Sequence, residues 1–152
     1  MSVKERHLQR NKVRQALDIF DIIQSVGSER LVCEIQAKVQ AKLIPIRIEV
    51  NTSGEESKCG VPVDSTIGFL RNISSFVNVQ GLMTIAPLLD DPEKAGPYFV
   101  KLKEPKAGAN RSNLPKIGMK YLSMGMTDDF EAAVQEGSNM ARIGRVIFGE
   151  RR

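Results

Sequence analysis

Short apolar runs alternate with amphipathic stretches along most of this chain. Isoleucine or valine occupies every second position from Ile44 to Val50, a period that predicts a β-strand with one apolar face and one polar face. Apolar residues recur at i+4 spacing from Leu31 to Val39, which predicts a helix, and Ser28 is placed to cap its N-terminus. Because both periods recur toward the C-terminus, the pattern predicts a series of β/α units.

Five strands are predicted, each leading into a helix or a helical turn. Their predicted bounds are Phe20–Val26, Ile44–Asn51, Val79–Ala86, Met119–Met126 and Met140–Val146.

Capping residues and helix-breaking residues predict where the helices begin and end. Asp91 and Pro92 predict a helix start, and Pro105 with Gly108 predicts that this helix breaks into a polar loop. Gly137 predicts the end of a short helix that begins at Phe130. Two further helices are predicted over residues 63–76 and over the N-terminal residues 1–18.

Strands that alternate with helices predict a parallel sheet with right-handed crossovers. The 152 residues are too few for a complete (β/α)8 barrel. We therefore expect one α/β domain over residues 1–152, with an N-terminal helix in 1–18 and successive β/α units in 19–152. Its architecture is predicted to be a partial (β/α) barrel of about five parallel strands with flanking helices, or the same strands rearranged into an open flavodoxin-like sheet.

Composition narrows the class of protein further. Apolar residues make up 41% of the chain and charged residues 26%, which predicts a soluble globular domain. No apolar run approaches the ~20 residues that span a bilayer, and the charged N-terminus does not have the pattern of a signal peptide, so we expect a cytoplasmic location. Two cysteines and one histidine, without a paired spacing, predict neither a zinc site nor a disulfide framework.

The last two predicted strands carry the strongest chemical signal. The first carries Ser123, Met124 and Gly125 near its end, and the second carries Gly144 and Arg145 near its end. Small or hydroxyl residues at strand ends expose backbone N–H groups, which is how (β/α) proteins bind phosphate. The net charge of +4 is compatible with an anionic ligand, with nucleic acid or with a solvated surface. These segments predict a site for a small phosphorylated ligand or another anion.

Five ordered motifs in the chain resemble the pyridoxal phosphate homeostasis proteins, which have the alanine racemase N-terminal-domain fold. The similarity runs from His7 to Arg151. The motifs are His7–Lys12, Val50–Gly60, Gly81–Ile85, Leu122–Ala133 and Arg142–Gly149. The resemblance implies a (β/α)8 barrel that binds pyridoxal 5′-phosphate (PLP) through a Schiff-base lysine and has no established turnover, so it implies no catalytic residue.

The resemblance also implies roles for particular residues. The hydroxyl of Ser123 would hold the PLP phosphate together with the amides of Gly144 and Arg145. Met124 and Gly125, which follow Ser123, would also belong to the cofactor-binding residues. The other implied ligand contacts are Arg142 beside the pyridine nitrogen and Asn51 and Met83 at the face of the ring.

One departure from the family limits the expected chemistry. The family's Schiff-base lysine ends the first strand of the barrel, and this chain is predicted to begin after the third strand and to match only the C-terminal two thirds. Lysines such as Lys58, in a loop, and Lys101, on a helix, lack the desolvated strand-end setting that lowers a lysine pKa. A shortened helix at Glu104–Gly108 also suggests a truncated or engineered protein. We therefore expect noncovalent PLP or phosphate binding at most.

Two other function classes remain open. Five parallel strands with unpaired edges could form a scaffold without a native ligand, and the edges could be covered in a homodimer. Basic residues between Lys4 and Arg14 could form a nucleic-acid-binding face. Because aromatic residues are only 5% of the chain and Trp is absent, few side chains can stack on bases, so nucleic acid is the weakest alternative.

Overall fold

A computed structural model describes residues 2–4, 7–39 and 44–149. In this part of the chain the strands are β1 Val3–Lys4, β2 Ile22–Val26, β3 Pro45–Asn51, β4 Val61–Pro62, β5 Asn78–Met83, β6 Ile117–Met126 and β7 Met140–Arg142. The helices are α1 Val13–Ile19, α2 Glu29–Lys38, α3 Thr66–Ile73, α4 Gly96–Ser112, α5 Phe130–Gln135 and α6 Arg145–Phe148.

The strands pair in the same order as they occur in the chain. The path of the sheet is β1-β2-β3-β5-β6-β7, every pairing is parallel, and the short β4 pairs with the end of β3. Sequential order belongs to a barrel wall, whereas a flavodoxin-like sheet places its first strand inside the sheet. The predicted partial barrel is therefore confirmed, with six strands along the path instead of five.

Side-chain alternation along β3 separates two environments. Ile46, Ile48 and Val50 are fully buried members of the hydrophobic core that also contains the inner faces of the helices. Arg47 and Glu49 point to the opposite side, the interior of the half-barrel, where they are 1% and 7% exposed. The apolar side of the sheet thus packs against the helices, and its polar side forms the interior.

The N-terminal segment differs from the helix that was predicted over residues 1–18. Val3 pairs in parallel with Ile22, and the carbonyl of Ser2 accepts hydrogen bonds from the amides of Asp21 at 2.9 Å and Ile22 at 3.2 Å. A helix forms only from Val13, after a 3₁₀ turn. The pairing partner lies about twenty residues away, so local periodicity did not reveal this strand.

The predicted break at Pro105 and Gly108 is wrong. Helix α4 runs without interruption from Gly96 to Ser112 and contains Pro105. Proline removes one helical hydrogen bond and crowds the preceding turn, but Phe99 and Leu102 of the same helix are fully buried. Packing of this apolar face stabilises the helix through the proline.

Gly108 has a packing role in the same helix. A Cβ at this position would lie 2.9 Å from Cδ1 of Ile67, so the glycine leaves room for the end of this side chain of the neighbouring helix α3. A residue that was interpreted as a helix breaker therefore serves helix packing.

The other boundaries follow the predictions more closely. The Ser28 hydroxyl accepts from the amide of Leu31 at 3.3 Å, and the Asp91 carboxylate accepts from the amide of Glu93 at 3.1 Å, so both predicted caps are confirmed. The last predicted strand, Met140–Val146, is too long: β7 ends at Arg142, and a helical turn, α6, follows.

Gly125 determines how β6 turns into α5. Its φ of +91° lies in the left-handed region, which non-glycine residues rarely adopt. A Cβ there would lie 2.7 Å from Cβ of Ala133 and 2.9 Å from Cα of Phe130. The glycine therefore serves both the turn and the close approach of the helix.

The substitution Gly125→Ala is expected to lower the free energy of unfolding by at least about 3 kcal/mol, since backbone strain and overpacking add. The matched control is Gly54→Ala, because Gly54 also has positive φ, at +77°, but a Cβ added there would meet no atom within 4 Å. That control should lose only about 1 to 2 kcal/mol from strain. Urea denaturation measures both, and equal losses would contradict the packing role.

Candidate functional site

A cleft of about 1390 Å³ opens at the carboxyl ends of the strands, the edge where α/β proteins bind ligands. Its lining comes from the ends of three strands and from loops: residues 49–51 at the end of β3, residues 57–59 of the following loop, residues 126–127 at the end of β6, residues 142–145 from the end of β7 onward, and His7, Ile85, Phe148 and Gly149. Typical small-molecule pockets measure ~300 to 1,000 Å³, so a phosphorylated cofactor has enough room.

Arg142 is fixed at the inner end of this cleft. Its Nη1 donates to the carbonyl of Ser123 at 3.0 Å and to the hydroxyl of the same residue at 2.9 Å. Its Nη2 donates to the carbonyl of Thr84 at 2.8 Å. Because Thr84 directly follows β5 and Ser123 lies within β6, one guanidinium at the end of β7 connects three neighbouring strands. The result is a permanent cation in a rigid position.

Ser123 lies beneath the cleft and is fully buried. Its hydroxyl donates to Oε1 of Gln24 at 3.0 Å while it accepts from Arg142. The structure thus brings Ser123 and Arg142 into direct contact, and the hydroxyl is engaged in a network inside the half-barrel.

The other predicted residues of β5 and β6 are also away from the cleft surface. Met83 and Met124 are both 0% exposed, and Met124 belongs to the hydrophobic core. Gly125 forms the turn described above. A direct ligand contact by these three residues stays a prediction.

Gly144 and Arg145 lie at the rim. A Cβ at Gly144 would meet nothing within 4 Å, so the backbone there faces open space. Arg145 is exposed and forms an ion pair with Asp128, and its amide, in the first turn of α6, has no partner within the helix. Both predicted residues therefore line the cleft.

Asn51 lines the cleft while it organises the loop that follows β3. Its Oδ1 accepts from the amide of Gly54 at 3.0 Å and from the Ser53 hydroxyl at 3.0 Å, and its Nδ2 donates to the carbonyl of Glu55 at 2.9 Å. This side chain shapes the loop that forms one wall.

Lys58 and Glu49 are charged residues that line the cleft but were not site candidates from the sequence. Lys58 was assigned to a loop that lacks the desolvated setting of a Schiff-base lysine, but it is partly buried and lines the cleft. Glu49 also lines the cleft, and no hydrogen bond from a described residue reaches its carboxylate. Strict alternation along β3 was the available signal, since it places Glu49 and Asn51 on one face.

The electrostatics of Glu49 are dominated by desolvation. Burial raises the pKa of the Glu49 carboxyl, and the charges of His7 and Arg142 partly oppose this shift. The cleft therefore combines a fixed cation with a carboxyl group that is desolvated.

Arg47 occupies the interior below Glu49. Its guanidinium stacks on the ring of Tyr121 at 4.6 Å from the centroid, and none of its three side-chain nitrogens has a hydrogen-bond partner among the described residues. Burial lowers the pKa of Arg47. The register partner of Arg47 on β5 is Gly81. A Cβ added at Gly81 would lie 2.1 Å from the Tyr121 carbonyl oxygen.

Known proteins are similar to this chain over most of its length. The family model of the alanine racemase N-terminal domain matches residues 3–152. The pyridoxal phosphate homeostasis protein of Aquifex aeolicus is 39% identical over 149 residues, which cover 95% of this chain and 64% of that protein.

Two solved structures have a similar fold. An unknown protein from Bifidobacterium adolescentis is 34% identical with a TM-score of 0.90, over 96% of this chain and 60% of the other. PipY of Synechococcus elongatus, solved with PLP bound, is 27% identical with a TM-score of 0.83, over 97% of this chain and 69% of the other. The chain thus spans about three fifths of the Aquifex and Bifidobacterium proteins.

The substitution Glu49→Gln tests the raised pKa. The folded protein binds the Glu49 proton more tightly than the unfolded chain, so this contribution to stability is present below the unfolded pKa of about 4.3 and is lost as the pH rises through the folded pKa. We expect the stability of the variant relative to the wild type to increase as the pH rises above about 4.3. Thermal unfolding at matched pH measures it, with the exposed Glu56→Gln as control; a pH-independent difference would contradict the shift.

The substitution Arg47→Met is expected to raise the free energy of unfolding by about 1 kcal/mol or more, because an unpartnered buried cation costs more than its contact with Tyr121 contributes. The exposed Arg71→Met on α3 is the control and should change stability by no more than about 0.5 kcal/mol. Urea denaturation compares the two, and a large loss in Arg47→Met would show that the guanidinium stabilises the fold.

Proposed function

Since the chain belongs to the alanine racemase N-terminal-domain family, we propose that it is a PLP-binding module related to the PLP homeostasis proteins. The observation that carries this proposal is the fixed guanidinium of Arg142 at the inner end of a cleft whose rim is open at Gly144. A PLP-bound relative of similar fold supports the choice of ligand. No described helix is long and apolar enough to cross a membrane.

The lining of the cleft fits the chemistry of PLP. Ile85, Met126 and Phe148 provide apolar surface for a ring, and Arg142 and Arg145 provide positive charge for a phosphate monoester. Among the described residues that line the cleft, Glu49 is the one acidic side chain. The site therefore suits an anion that carries a planar apolar part.

We assign the phosphate to the segment after β7. The amide of Arg145 would donate to it. The amide of Gly144, which donates to the Thr127 hydroxyl at 3.4 Å, would exchange that acceptor for a phosphate oxygen. The open space at Gly144 allows a close approach of the backbone. Ser123 would join them only if its hydroxyl exchanged Gln24 for a phosphate oxygen as acceptor. The turn at Met124 and Gly125 would position Ser123.

The ring would lie between Arg142 and the end of β3. Asn51 borders this space directly, whereas Met83 would support it from below. Bound PLP can supply an electron sink, and a permanent cation beside the pyridine nitrogen disfavours protonation of that nitrogen. Such a site suits storage or delivery of the cofactor better than turnover.

Noncovalent binding is the finer part of the proposal. Lys58 is the one lysine among the described cleft residues, and it lies in the loop after β3 instead of at the end of an apolar strand. A lysine that forms a stable imine needs a desolvated and fixed amine. We therefore propose that this chain lacks the family's covalent attachment.

A scaffold without a ligand is the second candidate. The observation that favours it is the Ser123 hydroxyl, which already has Gln24 and Arg142 as partners. A homodimer through the sheet edges stays a prediction; β1 and β7 end the path of strands and are only two and three residues long, so they offer few unpaired backbone groups.

The proposal predicts that PLP binds reversibly, with the absorbance of the free aldehyde, and that inorganic phosphate competes. The substitution Gly144→Leu should weaken PLP binding at least about tenfold, because the side chain would fill the open space at the phosphate segment, while thermal stability stays unchanged. Equilibrium dialysis measures the affinity, and Gly68→Ala on helix α3 is the control because its Cβ also meets no atom within 4 Å.

Three outcomes decide between the hypotheses. A lysine adduct that survives gel filtration and is trapped by borohydride at Lys58 would overturn noncovalent binding. Absence of binding by PLP and by phosphate at millimolar concentration would favour the scaffold. Equal affinities of wild type and Gly144→Leu would move the phosphate away from the segment after β7.

A further inference from the structure

Glu49 is unusual in a cleft that otherwise suits an anion. Three cationic side chains, Arg142, Arg145 and Lys58, line the same space. A carboxylate among them repels a phosphate ligand and neutralises part of the attraction. Its presence therefore requires a physical explanation beyond phosphate binding.

The carboxylate is desolvated but lacks a hydrogen-bond donor. Glu49 is 7% exposed, and no described residue donates a hydrogen bond to it or forms an ion pair with it within 4 Å. Arg142, a fixed cation of the same cleft, donates hydrogen bonds to Ser123 and Thr84. The Glu49 oxygens are not among the fully buried unpartnered atoms, and the residue lines the cleft. Burial removes most of the water around this carboxylate, so the position favours a ligand in the cleft that supplies a donor.

Register places Glu49 away from the proposed phosphate segment. Glu49 pairs with Met83 on β5, Met83 pairs with Ser123 on β6, and Ser123 pairs with Met140 on β7. Three strand spacings of about 4.8 Å therefore separate Glu49 from the strand that leads to Gly144. The cleft has an anion-binding side after β7 and an acidic side at β3.

We propose that Glu49 binds a protonated primary amine of the ligand, so that the cleft selects phosphate monoesters that also carry an ammonium group. This inference rests on the proposed function, because it assigns the second half of the same site. It ranks the vitamin B6 phosphates by chemistry: pyridoxamine 5′-phosphate carries the ammonium group, whereas pyridoxine 5′-phosphate has a hydroxyl and PLP an aldehyde at the same carbon. Charge-assisted hydrogen bonds are the stronger class, so the amine is the preferred form.

Noncovalent binding and amine selection are consistent with each other. A chain without covalent attachment gains nothing from the aldehyde, while a desolvated carboxylate gains a partner from the amine. The ammonium would occupy the side of the cleft that Glu49 and Asn51 share at the end of β3.

The test is calorimetric titration of the wild type and of Glu49→Gln with the three B6 phosphates and with inorganic phosphate at one pH. The wild type should bind pyridoxamine 5′-phosphate about tenfold or more tightly than pyridoxine 5′-phosphate. Glu49→Gln should lose this preference while its affinity for inorganic phosphate stays equal or rises, because a negative charge has been removed. The control Glu56→Gln removes the same charge from an exposed loop position outside the cleft lining and should keep the preference.

The remaining outcomes overturn the proposal in distinguishable ways. Equal binding of the three B6 phosphates, or a preference for PLP that Glu49→Gln retains, would show that Glu49 does not bind an ammonium group, while the proposed PLP module would stand. Equal weakening of all four ligands in Glu49→Gln would indicate a structural role. If no B6 phosphate and no inorganic phosphate binds the wild type, the proposed function and this inference fail together.

Discussion

Three apolar side chains of β3 can pack against the helices only if Arg47 and Glu49 turn toward the interior of the half-barrel. The alternation cannot be relaxed locally, because a shift of one residue would place both charges in the hydrophobic core. The parallel register then carries the polar face across the sheet, from Glu49 through Met83 to Ser123. The polar interior and the cleft above it both follow from this packing of one strand.

The charged side chains of the interior differ in how well their charges are compensated by neighbouring groups. Arg142 has acceptors on two strand ends, so its charge is compensated by hydrogen bonds. Arg47 has the face of Tyr121, and Glu49 has only the longer-range charges of His7 and Arg142. A buried charged side chain without a local partner lowers the stability of the fold, and such side chains are typical of functional sites. On this argument Glu49, which lines the cleft, is a candidate for ligand binding, whereas Arg47 lies below it.

Local signals predicted most of the elements and the edge of the sheet that carries the cleft. The caps at Ser28 and Asp91 were correct because a capping side chain bonds to amides two or three residues away. The predictions failed where contacts between residues far apart in the chain determine the secondary structure. Pro105 stays helical because α4 buries Phe99 and Leu102, and residues 3–4 form a strand because β2 lies beside them.

The sequence by itself determined the α/β class, the sequential β/α units and the gathering of Asn51, Arg142 and Gly144 at one edge, since periodicity and strand direction are local properties. Only the tertiary structure decided which side chains reach the cleft. Ser123 lies beneath it and bonds to Arg142, while Arg142, Glu49 and Lys58 line it. The physical reason is that burial and hydrogen-bond partners depend on residues far apart in the chain, such as Gln24 and Ser123, which are 99 positions apart.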